Sequence, residues 1–182
     1  MSEAGLVNAV LPLIYLEGYG AAVQTHVREL IAQKLLGNYI HSRYGETHEV
    51  RTDKALRLVA VALKNRFMRT TASLDKVIFD SKLQVLSHAL GTHTTVSRVQ
   101  GHRLKSSREI RVAAVFREAP SDFLKMILVH ELAHLKESEH NKAFYQLCTH
   151  MAPDYHQLEF DLRLYLTILE CEQARGPAIA AR

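Results

Sequence analysis

The sequence predicts an α+β fold, and three observations predict it. Two N-terminal stretches place apolar residues at helical spacing, whereas the middle of the chain switches to shorter segments rich in β-branched residues. The C-terminal part returns to helical periodicity. It also holds VHELAHLKESEH, from Val129 to His140, with three histidines at offsets 0, 4 and 10 and a glutamate directly after the first.

From Gly20 to about His41, Val23, Val27, Leu30, Ile31, Leu35 and Ile40 recur at helical spacing and predict one helix. Residues 52–69, TDKALRLVAVALKNRFMR, repeat the pattern, with Thr52 or Asp53 as N-cap. Three strand-like segments follow, at 74–86, 92–100 and 108–116, separated by Gly91 and Gly101. In the last, Ile110, Val112, Ala114 and Phe116 alternate with Arg111, Ala113, Val115 and Arg117, the pattern of a half-buried strand. Pro120 and Ser121 then open a helix, Ser121 as cap and Asp122 in the first turn, where its charge opposes the helix dipole. This helix is apolar nearly all round, so the polar residues inside it need a reason. After a break near Ser138–Asn141, NKAFYQLCTHM resumes helix. Pro153 interrupts, and DYHQLEFDLRLYLTILECEQ forms a last one.

Composition bounds the function. With 182 residues, 47% apolar and 23% charged, the chain is expected to form a single domain over residues 15–173. No run of ~18 apolar residues suggests a membrane span. The N-terminal apolar run lacks a preceding basic residue and is interrupted by Glu3 and Pro12, so no secretion signal is expected. Cys148 and Cys171 are too few for a disulfide framework and read as small core residues in a reducing, cytoplasmic setting. A net charge of +4 permits an anionic partner without demanding one. The charge is concentrated at Arg98, Arg103, Lys105, Arg108, Arg111 and Arg117, opposed in that stretch by Glu109. This run reads either as a solvated sheet face or as a surface for phosphate or carboxylate.

On a helix, residues four apart are rotated by only ~40° and separated by about 6 Å, so His130 and His134 point the same way and can share one metal ion. Glu131 lies beside them, within reach of a water on that ion, which is the physical content of an H-E-x-x-H pattern. His140 is the more specific signal. A continued helix would carry it ~9 Å past His134 and onto another face, so the chain must turn back first. Ser138 and Asn141 favour such a boundary. A glycine makes the turn in metalloproteases with this spacing, but Glu137 stands there instead. Given 11 His in this composition, the three-histidine pattern arises by chance with a probability of about 0.003. Glu137, Glu139 and Glu159 are the alternatives to His140 as third ligand. Imidazole ligation suits zinc first, with nickel or another transition metal as alternatives, for one divalent ion.

HELAHLKESEHNKAFYQL resembles the signature of the YgjP-like metallopeptidase-domain family, relatives of SprT-like and Wss-type zincins. The resemblance extends through TDKALRLV, HTTVSRVQGHRLKSSREIRVAAVFREAP and HMAPDYHQLEFDLRLYLT, from about Tyr15 to Leu169. It implies a zincin-like fold: a small, mainly antiparallel sheet packed beside an active-site helix, with N-terminal and C-terminal helices. It also implies His130, His134 and His140 as ligands and Glu131 as catalytic base. Members carry peptidase names and, in some cases, nucleotide-pyrophosphatase names.

Three protein ligands leave a fourth position for water, the arrangement of a catalytic zinc. Glu131 would take the proton of that water and deliver it to the leaving group. Arg98, Tyr145, His150, Tyr155 and His156 are candidates to stabilise developing charge, and Arg98, Arg111, Tyr145 and His150 are candidate substrate contacts. The leading expectation is a peptidase-like hydrolase acting on an unfolded segment or short peptide, which would lie along a strand edge. The alternative is a nucleoside triphosphate pyrophosphatase, for which the basic run supplies phosphate clamps although no Walker-type loop is present. A nucleic-acid-associated metal-binding module is a third reading, since SprT-like relatives work at DNA.

Overall fold

The computed structural model describes residues 13–83, 91–100 and 103–174; side chains between 91 and 107 fall outside that description. Six α-helices and three strands lie among the described residues: α1 (Ala21–Ala32), α2 (Leu35–Arg43), α3 (Asp53–Phe67), β1 (Lys76–Asp80), β2 (Gly91–Gln100), β3 (Arg103–Ala113), α4 (Ser121–Ala133), α5 (Lys142–Met151) and α6 (Tyr155–Ala174). No helix is long and apolar enough to cross a membrane, among the described residues. The chain divides into two compact units. One takes residues up to Gly45 and from Glu159 onward; the other takes Glu46–Leu158.

In the first unit the single helix expected over 20–41 is two. Lys34 adopts a left-handed conformation (φ 58°) between α1 and α2, and the Lys34 N–H bonds the Ile31 carbonyl. No glycine or proline marks this break, so periodicity alone ran straight through it. The unit is tied together by Asp161 of α6, fully buried. Asp161 accepts hydrogen bonds from Tyr44 Oη (2.7 Å) and Tyr39 Oη (3.2 Å), with Arg43 Nε 3.6 Å away. Burial first, and then this carboxylate, push the Tyr44 phenol above its ordinary pKa.

In the second unit Thr52 caps α3 as expected, its hydroxyl accepting from Ala55 N at 3.2 Å. The next residue ties α3 to the sheet: Asp53 Oδ1 accepts from the Phe79 backbone N–H at 2.9 Å. The sheet has the order β1–β3–β2. It is mixed, which corrects the expected mainly antiparallel sheet: β2 runs antiparallel to β3, but β1 is parallel to it, with Val77 opposite Ile110 and Phe79 opposite Val112. Alternation fixes which face of a strand is apolar, but not which neighbour it takes. A parallel neighbour needs a long connection, and residues 81–102, including β2 itself, supply it.

The alternation expected to run through Arg117 stops at Ala113. Residues 114–117 form a 3₁₀ turn that still buries Phe116. Its carbonyls are taken by side chains: His48 Nε2 donates to Phe116 O at 2.9 Å, and Arg51 donates to Arg117 O. Strand β1 is likewise shorter than the expected 74–86; of that segment, residues 84–86 lie outside the described residues.

Helix α4 begins one residue earlier than expected. Pro120, not Ser121, is the cap, and it acts through its carbonyl, which accepts from Phe123 N and Leu124 N. Asp122 does stand in the first turn. Phe123, Leu124, Ile127, Leu128 and Leu132 are all buried, so the helix is fixed in the core and its C-terminal turn is held rigidly. Cys148 and Cys171 are both buried.

Candidate metal centre

Helix α4 ends at Ala133, immediately before the second histidine, and His134 is its C-cap. The chain then reverses through tight backbone turns: Leu135 N bonds Leu132 O, and Lys136 N and Glu137 N both bond Ala133 O, each at 3.0 Å. Among the described non-glycine residues only Lys34 has a positive φ, so Glu137 makes this reversal without the left-handed conformation a glycine would supply. Asn141 starts the next helix, its side-chain oxygen accepting from Phe144 N at 2.9 Å. That cap, one residue after His140, fixes where α5 begins.

The reversal brings the three imidazoles together. His130 Nε2 lies 3.3 Å from His134 Nε2 and 3.2 Å from His140 Nε2, and one ligand atom from each residue falls within 4.8 Å of the others. Nitrogens bound at about 2.0–2.1 Å to a single tetrahedral ion stand roughly 3.3 Å apart, so the donor set fits one ion. His134 Nδ1 donates to the Glu137 carbonyl at 2.9 Å, which leaves Nε2 with its lone pair. Burial, chiefly, lowers the His134 pKa and keeps the ring in the neutral form that ligates metals. Phe144, fully buried, packs against all three rings, with centroids 5.0, 4.6 and 4.7 Å from those of His130, His134 and His140.

Glu131 follows His130 on the same turn and is 1% exposed. Its Oε2 is buried with no hydrogen-bond partner. Burial alone pushes its carboxyl up to about 8, because nothing polar compensates the charged form. A cation at the three imidazoles would supply that compensation. An orphaned carboxylate oxygen beside a convergent imidazole trio is therefore a second sign that the pocket is arranged for a cation and its water.

The other expected site residues scatter. Tyr145 of α5 stays close, its ring 6.4 Å from that of His140 and 5.3 Å from that of His156. His150 instead meets Phe67 of α3 edge-on at 5.5 Å. Arg111 is engaged on the sheet by Asp80 (2.8 Å) and Glu109 (2.9 Å). Arg117 lies over the Phe79 ring at 5.0 Å. The side chains of Arg98, Arg103 and Lys105 lie outside the described residues. Of the carboxylates considered as third ligand, Glu159 pairs with Arg163 at 3.1 Å, and Glu137 meets the Asn141 amide at 3.4 Å. Sequence reasoning missed Phe144 and the Glu137 carbonyl altogether. Phe144 carried no signal beyond its place three residues after a capping Asn, and a backbone carbonyl carries none.

Comparison with known proteins agrees with this geometry. A family model described as "YgjP-like, metallopeptidase domain" matches residues 62–165, which include all three histidines and Glu131. The chain is 58% identical over 161 residues, 88% of its length and 96% of the relative's, to a protein of Escherichia coli (strain K12) named UTP pyrophosphatase. No solved structure matches the chain. By family match and by identity to this relative, the chain belongs to the YgjP-like metallopeptidase-domain family and is a metal-dependent hydrolase.

Proposed function

We propose that the protein hydrolyses a phosphoanhydride bond of a nucleoside triphosphate, with UTP the first candidate, releasing pyrophosphate and the nucleoside monophosphate. The observation that carries the choice of substrate is the identity to a relative bearing the name UTP pyrophosphatase, spread over nearly the whole of both chains. Identity of 58% over 161 residues favours a shared reaction over a shared fold alone. This reverses the order that the sequence motif suggested, in which peptide hydrolysis led.

His130, His134 and His140 would hold one divalent ion, zinc first by the preference of imidazole ligands. When bound, such an ion lowers the pKa of a coordinated water towards 7 and offsets negative charge developing on phosphorus-bound oxygens. Glu131 takes the proton from the attacking water at its unpartnered carboxylate oxygen. The water oxygen bonds to phosphorus as the bridging P–O bond breaks, and the bonding pair leaves with pyrophosphate. The low-dielectric surroundings of Glu131 strengthen each of these charge interactions.

A second reading, peptide hydrolysis, has one observation in its favour. Strand β2 is an edge of the sheet and runs antiparallel to β3, so an extended peptide could add to it by backbone hydrogen bonds. One experiment separates the two. Zinc-loaded protein and its Glu131→Gln variant are offered a panel of nucleoside triphosphates and an unfolded protein, with pyrophosphate and new peptide termini as readouts. Pyrophosphate release that falls by roughly 10²–10⁴-fold in the variant supports the proposal. Cleavage of the unfolded protein alone, abolished in the variant, assigns the peptidase reading instead.

A further inference from the structure

We infer that Tyr155 is a positioning residue for the metal centre: its phenol fixes the tautomer and aim of His130, and so sets the affinity of the site for its ion. The inference rests on reading the three imidazoles as a metal site.

Tyr155 lies 25 residues from His130 in sequence, yet its Oη is 2.7 Å from His130 Nδ1. It is the first residue of α6 and is fully buried. Its placement is built by the backbone: α5 ends at Met151, Ala152 N bonds Cys148 O, and Tyr155 N bonds Ala152 O at 2.9 Å. This short connection through Pro153 delivers the phenol to α4. The His130 ring is then gripped twice, edge-on by Phe144 (centroids 5.0 Å apart) and nearly parallel to Tyr155 (18° between planes, 6.4 Å).

The chemistry follows from where His130 Nε2 points. That atom belongs to the convergent trio, so in the ligating state it must carry a lone pair, and the ring proton must sit on Nδ1. The phenol oxygen accepts that proton's hydrogen bond. His134 is served in the same way by the Glu137 carbonyl. Two of the three ligands are thus oriented through Nδ1, one by backbone and one by Tyr155. Partners of this kind hold the ring at the ion and raise its basicity, and their loss typically weakens metal affinity by about 10–100-fold.

The test is zinc affinity rather than turnover. Zinc(II) dissociation constants of the wild type and Tyr155→Phe are measured by competition with a chromophoric chelator, together with thermal midpoints of the zinc-free and zinc-loaded forms. Weakening by about ten-fold or more, with a smaller zinc-induced rise in midpoint, is expected. Wild-type affinity in the variant overturns the inference, as does a lower zinc-free midpoint with an unchanged zinc-induced rise, because a purely structural phenol predicts that pattern. A wild type that binds no zinc sinks the metal reading itself, which keeps the two failures distinct. Should the variant not fold, ¹⁵N–¹H correlation spectra of the zinc-loaded wild type decide. A proton on His130 Nδ1 with zinc on Nε2 supports the assignment, and the opposite arrangement overturns it.

Discussion

The two least accessible carboxylates among the described residues, Asp161 and Glu131, are treated in opposite ways. Asp161 is fully buried and surrounded by donors: two phenols bond it, and a guanidinium lies nearby. Glu131 is just as inaccessible, yet one of its oxygens has no hydrogen-bond partner. Burying a charge without compensation is among the most costly things a fold can do. A satisfied buried carboxylate is explained by the structure it holds together. An unsatisfied one beside a trio of imidazoles is what the proposed metal chemistry would complete. The contrast separates architecture from function without reference to any relative.

The largest effects test the functional half. Glu131→Gln keeps size and removes the proposed base, so pyrophosphate release is expected to fall by roughly 10²–10⁴-fold with zinc content unchanged. A variant that keeps most of its rate, or that loses its zinc, would break the contrast, since Glu131 would then be a ligand or a bystander. Asp161→Asn tests the structural half. It keeps shape but removes the charge that Tyr44, Tyr39 and Arg43 address, and a loss of about 1.5–3 kcal/mol is expected in denaturant unfolding. Hydrolysis per folded molecule should be unchanged. If activity fell while stability held, Asp161 would belong with Glu131.

What could be read from the sequence follows the same division between local and distant causes. The shared direction of His130 and His134 is a property of four residues on one helix, so spacing sufficed. That His140 must return was also legible, because a straight helix could not deliver it. How it returns was not: the turn is made by backbone bonds to Ala133 O, with Glu137 where a glycine was the familiar device. Tyr155 was visible as a candidate for charge stabilisation, but its bond to His130 joins residues 25 apart in sequence, which no local pattern encodes. The parallel placement of β1 failed to show for a similar reason, since strand neighbours are chosen across the whole sheet. Arg111 looked like a phosphate clamp because the run around it is basic. Glu109 shares its face two residues away on β3, but Asp80 reaches it only once β1 and β3 pair.

The turn that joins the metal centre to α5 offers a finer probe. Asn141 caps α5 directly after His140, so Asn141→Ala removes an N-cap as well as a fixed point for the third ligand. A stability loss of about 1 kcal/mol is expected. Zinc affinity should fall as well, by less than for Tyr155→Phe, because the cap holds only the backbone next to His140 and no ligand ring. The cap at the other end of the unit supplies the control: Thr52→Ala should cost a similar amount of stability and leave zinc affinity unchanged. Equal zinc affinities in both cap variants would mean that the His140 turn is held by its own backbone bonds.

The smallest effect concerns Arg111, and it tests whether the basic run belongs with structure or with chemistry. The Arg111 guanidinium, first, and then the Lys82 backbone N–H hold the Asp80 carboxyl below its ordinary pKa. A carboxyl depressed in the folded state stabilises the fold above its unfolded pKa of about 3.9, and that contribution fades as pH falls through the folded value. The wild type should therefore lose slightly more stability than Arg111→Ala on acidification from pH 5 to below about 3. The difference is small because both partners are partly exposed and screened by water and salt. Zinc affinity and kcat should be unchanged if the carboxylates fully occupy Arg111. A raised KM for UTP at constant kcat would instead place this guanidinium on the substrate's phosphates, and would move one member of the basic run from the architectural to the functional side.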